Sequence, residues 1–170
     1  MKIEELNKKI EQWAIDRHLD KEAEVKAQSI KSAEEFSELI IGICKDKKDL
    51  IVDSIGDVYV TLVVGNLIHN KLDLVKIYKE VIKDYQGLRA YLWMNGKATQ
   101  IMYIGDRTKL ILRQGYSEWS VKKSIEYLLA LSEIYNLSFV ACVESAYKVI
   151  ANRKGRMING QFVKQEDLPC

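Results

Sequence analysis

Ile3, Leu6, Ile10 and Trp13 recur at the three-to-four-residue spacing of a helix that buries one face. The same spacing predicts a second helix from about Glu22 to Cys44, ended by the polar loop Lys45–Asp49. A third is expected from about Leu50 to Ile68, apolar nearly all round beyond Asp57. Its β-branched residues Val58, Val60, Thr61, Val63 and Val64 also suit a strand, but the run is long and does not alternate, which favours helix. Leu74, Ile77, Val81, Leu88 and Leu92 mark a further helix over 72–95. Residues 96–119, punctuated by Gly96, Gly105 and Gly115, show no readable period. Ser120–Tyr135 and Ser138–Lys154 read as two more helices, each opened by a serine N-cap, with Gly155 placed as a C-terminal glycine cap. Arg156–Ile158 and Gln161–Val163 then flank Asn159-Gly160, the pair that suits a two-residue type I′ hairpin turn. The single proline, Pro169, leaves the body of the chain free of helix breakers. The expected fold class is all-α: an antiparallel helix bundle with a short C-terminal β-hairpin, in one domain spanning 1–170.

Composition changes this picture little. A chain of 170 residues, 48% of them apolar, can bury one real core. A net charge of +2 argues for neither a nucleic-acid nor a membrane partner. The most apolar stretch, Val58–Ile68, covers about 11 residues, short of the ~20 that span a bilayer. Cys44, Cys142 and Cys170 are too scattered for a disulfide framework or a CxxC metal site, and the charged N-terminus lacks a secretory pattern. A cytoplasmic location is expected.

Chemistry concentrates in two acidic segments. On a helix, Gln28, Lys31, Glu35 and Glu38 share a stripe about 80° wide, with Ala33, Phe36, Leu39, Ile40 and Ile43 on the other side. Asp53 and Asp57 lie about 40° apart on the next helix. A short loop between antiparallel helices would gather these carboxylates, and grouped acids call for a positive charge between them. Mg²⁺ (or Mn²⁺) supplies it while leaving positions open for water and phosphate oxygens. Acids spaced as EExxE are commonly just a solvated helix face. Asp57, set among apolar residues, is harder to explain that way, because an unpartnered charge is costly there.

The segments QSIKSAEEFSEL and DSIGDVYV, within Trp13–Leu67, resemble the MazG-like nucleoside triphosphate pyrophosphohydrolases, which carry EExxE on one helix and ExxD on the next. Ser145–Met157, with its ANRK segment, resembles the family's closing helix, and its extension to Lys164 is similar to phage-type members. The resemblance covers about half the chain and implies a MazG-like helical domain, with acidic helices at about 22–68 and a C-terminal helix and hairpin at about 138–164. It implies Mg²⁺-dependent cleavage of nucleoside triphosphates to monophosphate and pyrophosphate, and assembly as dimers or tetramers. Glu35, Glu38 and Asp57 match metal-ligand positions, and Glu35 or Glu38 is the candidate to orient the attacking water. Ser54 stands where the pattern has glutamate, and Asp53 is the substitute considered for that place.

Substrate contacts are expected from Lys31, Lys148, Asn152, Arg153 and Lys154 on phosphates and from Trp13 on a base. Each has a plainer reading: an i,i+4 ion pair of Lys31 with Glu35, a basic helix end, a core tryptophan. Two other functions compete. One is a nucleotide-binding or sensing protein without hydrolysis, suggested by Ser54. The other is a nucleic-acid-binding module built on the basic C-terminal segment, disfavoured by the near-neutral charge.

Overall fold

The structure is a computed structural model, and it describes residues 1–158 and 161–165. Among them run α1 (Ile3–Ile15), α2 (Leu19–Glu22), α3 (Val25–Cys44), α4 (Lys48–Ile68), α5 (Leu74–Val81), α6 (Gln86–Gln114), α7 (Glu118–Ile134) and α8 (Phe139–Ala151). Strands β1 (Gly155–Ile158) and β2 (Gln161–Lys164) form an antiparallel hairpin. The fold is all-α with a short C-terminal hairpin.

α4 is the axis of the core. Beyond Asp57 its residues are apolar on nearly every side, and α1, α2, α3, α7 and α8 all pack against it. It is long and apolar enough to cross a membrane: an 18-residue window of this 21-residue helix has a mean hydropathy of 1.6, longer than the 11 residues read from the sequence, and 72% of that window lies buried within the fold. Two glycines allow close approach: a Cβ at Gly56 would stand 2.4 Å from the Cys142 carbonyl oxygen on α8, and one at Gly65 would stand 2.0 Å from the Tyr116 ring. Residues 45–47 turn α3 back onto α4, with Asp46 in the left-handed region at φ 52°.

Several elements differ from the sequence expectation. The helix expected from about Glu22 to Cys44 is α3, but it starts at Val25: Ala23 and Glu24 are extended (ψ 140° and 139°), and Glu22 ends the short α2, which the sequence pattern did not mark. The segment 72–95 is also divided: α5 stops at Val81, and Tyr85 is buried with its hydroxyl donating to the Glu133 carboxylate before α6 begins. Residues 97–114 are helical beyond a break at Gly96 (φ 72°, ψ −171°). The N-cap of α7 is Ser117, whose Oγ accepts from the Ser120 amide at 3.2 Å; Ser120 is buried and donates to the Gly115 carbonyl oxygen. Ser138 does cap α8. That helix ends at Ala151, so Gly155 is no helix cap. It begins β1, where a Cβ would lie 2.2 Å from the Val163 carbonyl oxygen. Strand register pairs Ile158 with Gln161, while the turn itself, Asn159-Gly160, lies outside the described residues.

Candidate functional site

Phe36, Leu39 and Ile43 on α3 face the core, and this fixes the rotation of the helix. Glu35 is thereby carried to the α3–α4 boundary, only 7% exposed. Lys31 answers it from one turn earlier: Nζ lies 2.8 Å from Glu35 Oε1 and 2.9 Å from Glu34 Oε2. Burial pulls the Lys31 ammonium down, but its hydrogen bonds to Glu35 and Glu34 more than offset this and hold it above the usual lysine value.

Asp57 faces this pair from α4. Its carboxyl is pushed up to about 6, chiefly by burial and next by the charge of Glu35; Arg153 opposes the shift, Asp53 adds to it, and Lys31 opposes it. Glu35 and Asp57 therefore act as one electrostatic unit between two cations. All four side chains line a cavity of about 360 Å³, within the range of small-molecule sites. Trp13 from α1, Phe162 from β2, and Val60 and Val64 from α4 supply apolar wall.

Trp13 is 8% exposed, packed edge-on against Phe162 with ring centroids 5.7 Å apart, and its Nε1 has no partner among the described residues. Arg17 lies over its ring at 4.8 Å and donates from Nη2 to the Arg153 carbonyl oxygen at 2.8 Å. Beneath the cavity, Ser32 Oγ donates to Thr61 Oγ1 at 2.9 Å and shares a 2.8 Å hydrogen bond with the Tyr116 hydroxyl. Gln28 Nε2 donates to the Thr61 carbonyl oxygen at 3.3 Å, on the cavity wall.

The structure thus brings together Glu35, Asp57, Lys31, Arg153 and Trp13. It leaves the other expected residues off the wall. Glu38 is half-buried a turn further along α3, and Asp53 is exposed on α4, reaching Asp57 only through its charge. Lys148 pairs with Glu144 at 2.9 Å, Asn152 caps the end of α8, and Lys154 is exposed. Ser54 is fully buried off the cavity wall, its hydroxyl without a partner among the described residues. Arg17, Thr61 and Phe162 were missed by sequence reasoning, and only Phe162 had a signal, its place in the hairpin.

The expected cluster of four carboxylates is not a ready-made cage: among the described residues, no three His, Cys, Asp or Glu side chains are grouped to hold an ion. The lysine ammonium beside Glu35 supplies counter-charge in its place. Two coupled carboxylates do fit a divalent cation that keeps several waters and takes further ligands from a polyphosphate.

Fold and site together define an all-α protein with a charged, tryptophan-edged cavity between an acidic helical hairpin and the chain's C-terminal segment. No family model matches the chain, and no solved structure matches it. It is similar to an uncharacterized 18.2 kDa protein in the rep-hol intergenic region of Haemophilus phage HP1, 48% identical over 62 residues. That match covers 36% of this chain and 38% of the phage protein, so it spans well under half of either.

Proposed function

We propose that the cavity binds a nucleoside triphosphate and hydrolyses it to the monophosphate and pyrophosphate, in the manner of the MazG-like enzymes its motifs resemble. The observation that carries this reading is the pairing of buried Glu35 with half-buried Asp57, held between Lys31 and Arg153 in a cavity edged by Trp13. Lys31 and Arg153 attract and orient phosphate oxygens, and Trp13 offers an aromatic surface to a base. Glu35 and Asp57 would hold Mg²⁺ or Mn²⁺, which when bound would polarise a phosphate and acidify a water. The carboxylate of Glu35 or Glu38 would orient the attacking water and accept its proton. A cytoplasmic location and assembly into dimers or tetramers belong to the same proposal. Exposed Tyr91, Trp93, Met94 and Met102 on α6 are the surface that supports assembly.

The test is a panel of ribo- and deoxyribonucleoside triphosphates with Mg²⁺, the products resolved as pyrophosphate or phosphate. Pyrophosphate should be released, excess chelator should stop the reaction, and Glu35→Gln or Asp57→Asn should lower turnover at least about a hundredfold. Normal hydrolysis by both variants would place the chemistry elsewhere. A second reading, nucleotide binding without hydrolysis, is favoured by the 2.8 Å Lys31–Glu35 pair, which already neutralises one carboxylate. Saturable triphosphate binding that ignores Mg²⁺ and releases no product would decide for it.

A further inference from the structure

Between α6 and α7 lies a second cavity of about 760 Å³, which shares no lining residue with the first. In its wall Arg107 is only 8% exposed. An arginine buried this deeply is ordinarily paired, because an uncompensated buried charge is strongly destabilising. Among the described residues Nε has no hydrogen-bond partner and the side chain makes no ion pair. The acids that line the cavity act on Arg107 only through their charge, without a contact: Asp106 is exposed, and Glu126 is bound to Lys123 at 2.7 Å. Tyr103 gives Arg107 only an aromatic face, 5.3 Å away.

Lys109 and Arg113, one helical turn apart on the exposed side of α6, line the same cavity and also have no ion-pair partner among the described residues. Four cations therefore border the space against two carboxylates. Beside them Trp119 is 58% exposed, with Lys123 Nζ 5.0 Å from its ring centroid. A phosphate group matches the guanidinium donors, since it accepts paired N–H bonds and brings the missing charge. An exposed indole next to such a group suits a planar base.

We propose that this cavity binds a second nucleotide, its phosphates on Arg107 and Arg113 and its base against Trp119. The site is held by arginine and not by carboxylates, so it operates without a divalent cation. It stands independently of any chemistry in the first cavity.

Calorimetric titration of the full chain in metal-free buffer with chelator tests this, with dADP and inorganic tripolyphosphate as probes. Both should bind saturably at one site per chain. Arg107→Met should weaken both by about tenfold or more, the loss expected for a charge-assisted hydrogen bond. Arg113→Ala should weaken both several-fold, and since Arg113 is exposed this loss cannot be ascribed to misfolding. Trp119→Ala should weaken dADP but not tripolyphosphate. Absence of saturable binding in wild type would overturn the proposal, as would binding that neither arginine substitution weakens. So would a wild type that ignores both probes while Arg107→Met dissociates an oligomer, because Arg107 would then be paired with a second copy of the chain.

Discussion

Asp57 carries a proton into a range where carboxylates are normally ionised. Its ordinary value is near 4 and its folded value about 6, so between these the folded chain binds the extra proton. Stability must then fall as pH rises through that window and stay lowered above it. Asp57→Asn removes the effect. At pH 7, without metal, it should stabilise by on the order of 1–2 kcal/mol once solvent screening is allowed for, and below pH 4 it should gain nothing. Denaturant midpoints at the two pH values check this, and equal gains at both would show that packing, not charge, is responsible. Ser54 gives a contrasting case. Its buried hydroxyl lacks a partner among the described residues, so Ser54→Ala should leave stability unchanged or raise it by about 1 kcal/mol, with turnover unaffected. At this scale the sequence was a partial guide. Glu35, Asp57, Lys31, Arg153 and Trp13 could be found because charge and aromaticity in a helical register are visible in the letters. Arg17 could not, since it works by donating to a backbone carbonyl oxygen 136 residues away, a partner that any residue type supplies.

Each element reads in the sequence as clearly as its buried face is apolar. α1 and α4 were visible because Ile, Leu and Val fill that face. The second half of α6 was not, although it has a perfectly helical period: Gln100, Ile104, Arg107 and Ile111 are its buried residues, and two of the four are polar. Gln100 is buried because its groups are used: its carbonyl oxygen accepts from the Tyr127 hydroxyl and its Oε1 from the Tyr135 hydroxyl, both at 3.0 Å. The turn at Ala23 left no mark because neither glycine nor proline makes it. The α4–α8 contact depends on a missing side chain. Gly56→Ala would drive a methyl group into the Cys142 carbonyl oxygen and the Ala146 methyl, so it should cost about 2–3 kcal/mol of stability despite the better helix propensity of alanine. Thermal unfolding measures that loss, and a higher midpoint would mean that α8 can move away freely.

Across the whole molecule, the first cavity is assembled from both ends of the chain around its middle. Glu35 and Asp57 sit on α3 and α4, which are joined by three residues, whereas Trp13 comes from near the N-terminus and Arg153 and Phe162 from near the C-terminus. This layout has a consequence in time. A helical hairpin with so short a connection closes early in folding, because little chain entropy is lost in joining its arms. Its two acids then meet in water, where their repulsion is weak. The distant ends dock later, and only that step strips the water away and creates the charge conflict at Asp57. Relief of the conflict should therefore be felt after the folding barrier and not before it. In stopped-flow chevrons at pH 7, Asp57→Asn should slow unfolding by about the full factor of its stabilisation and leave the refolding rate unchanged. Accelerated refolding would mean instead that the ends of the chain have already closed over the acids at the transition state.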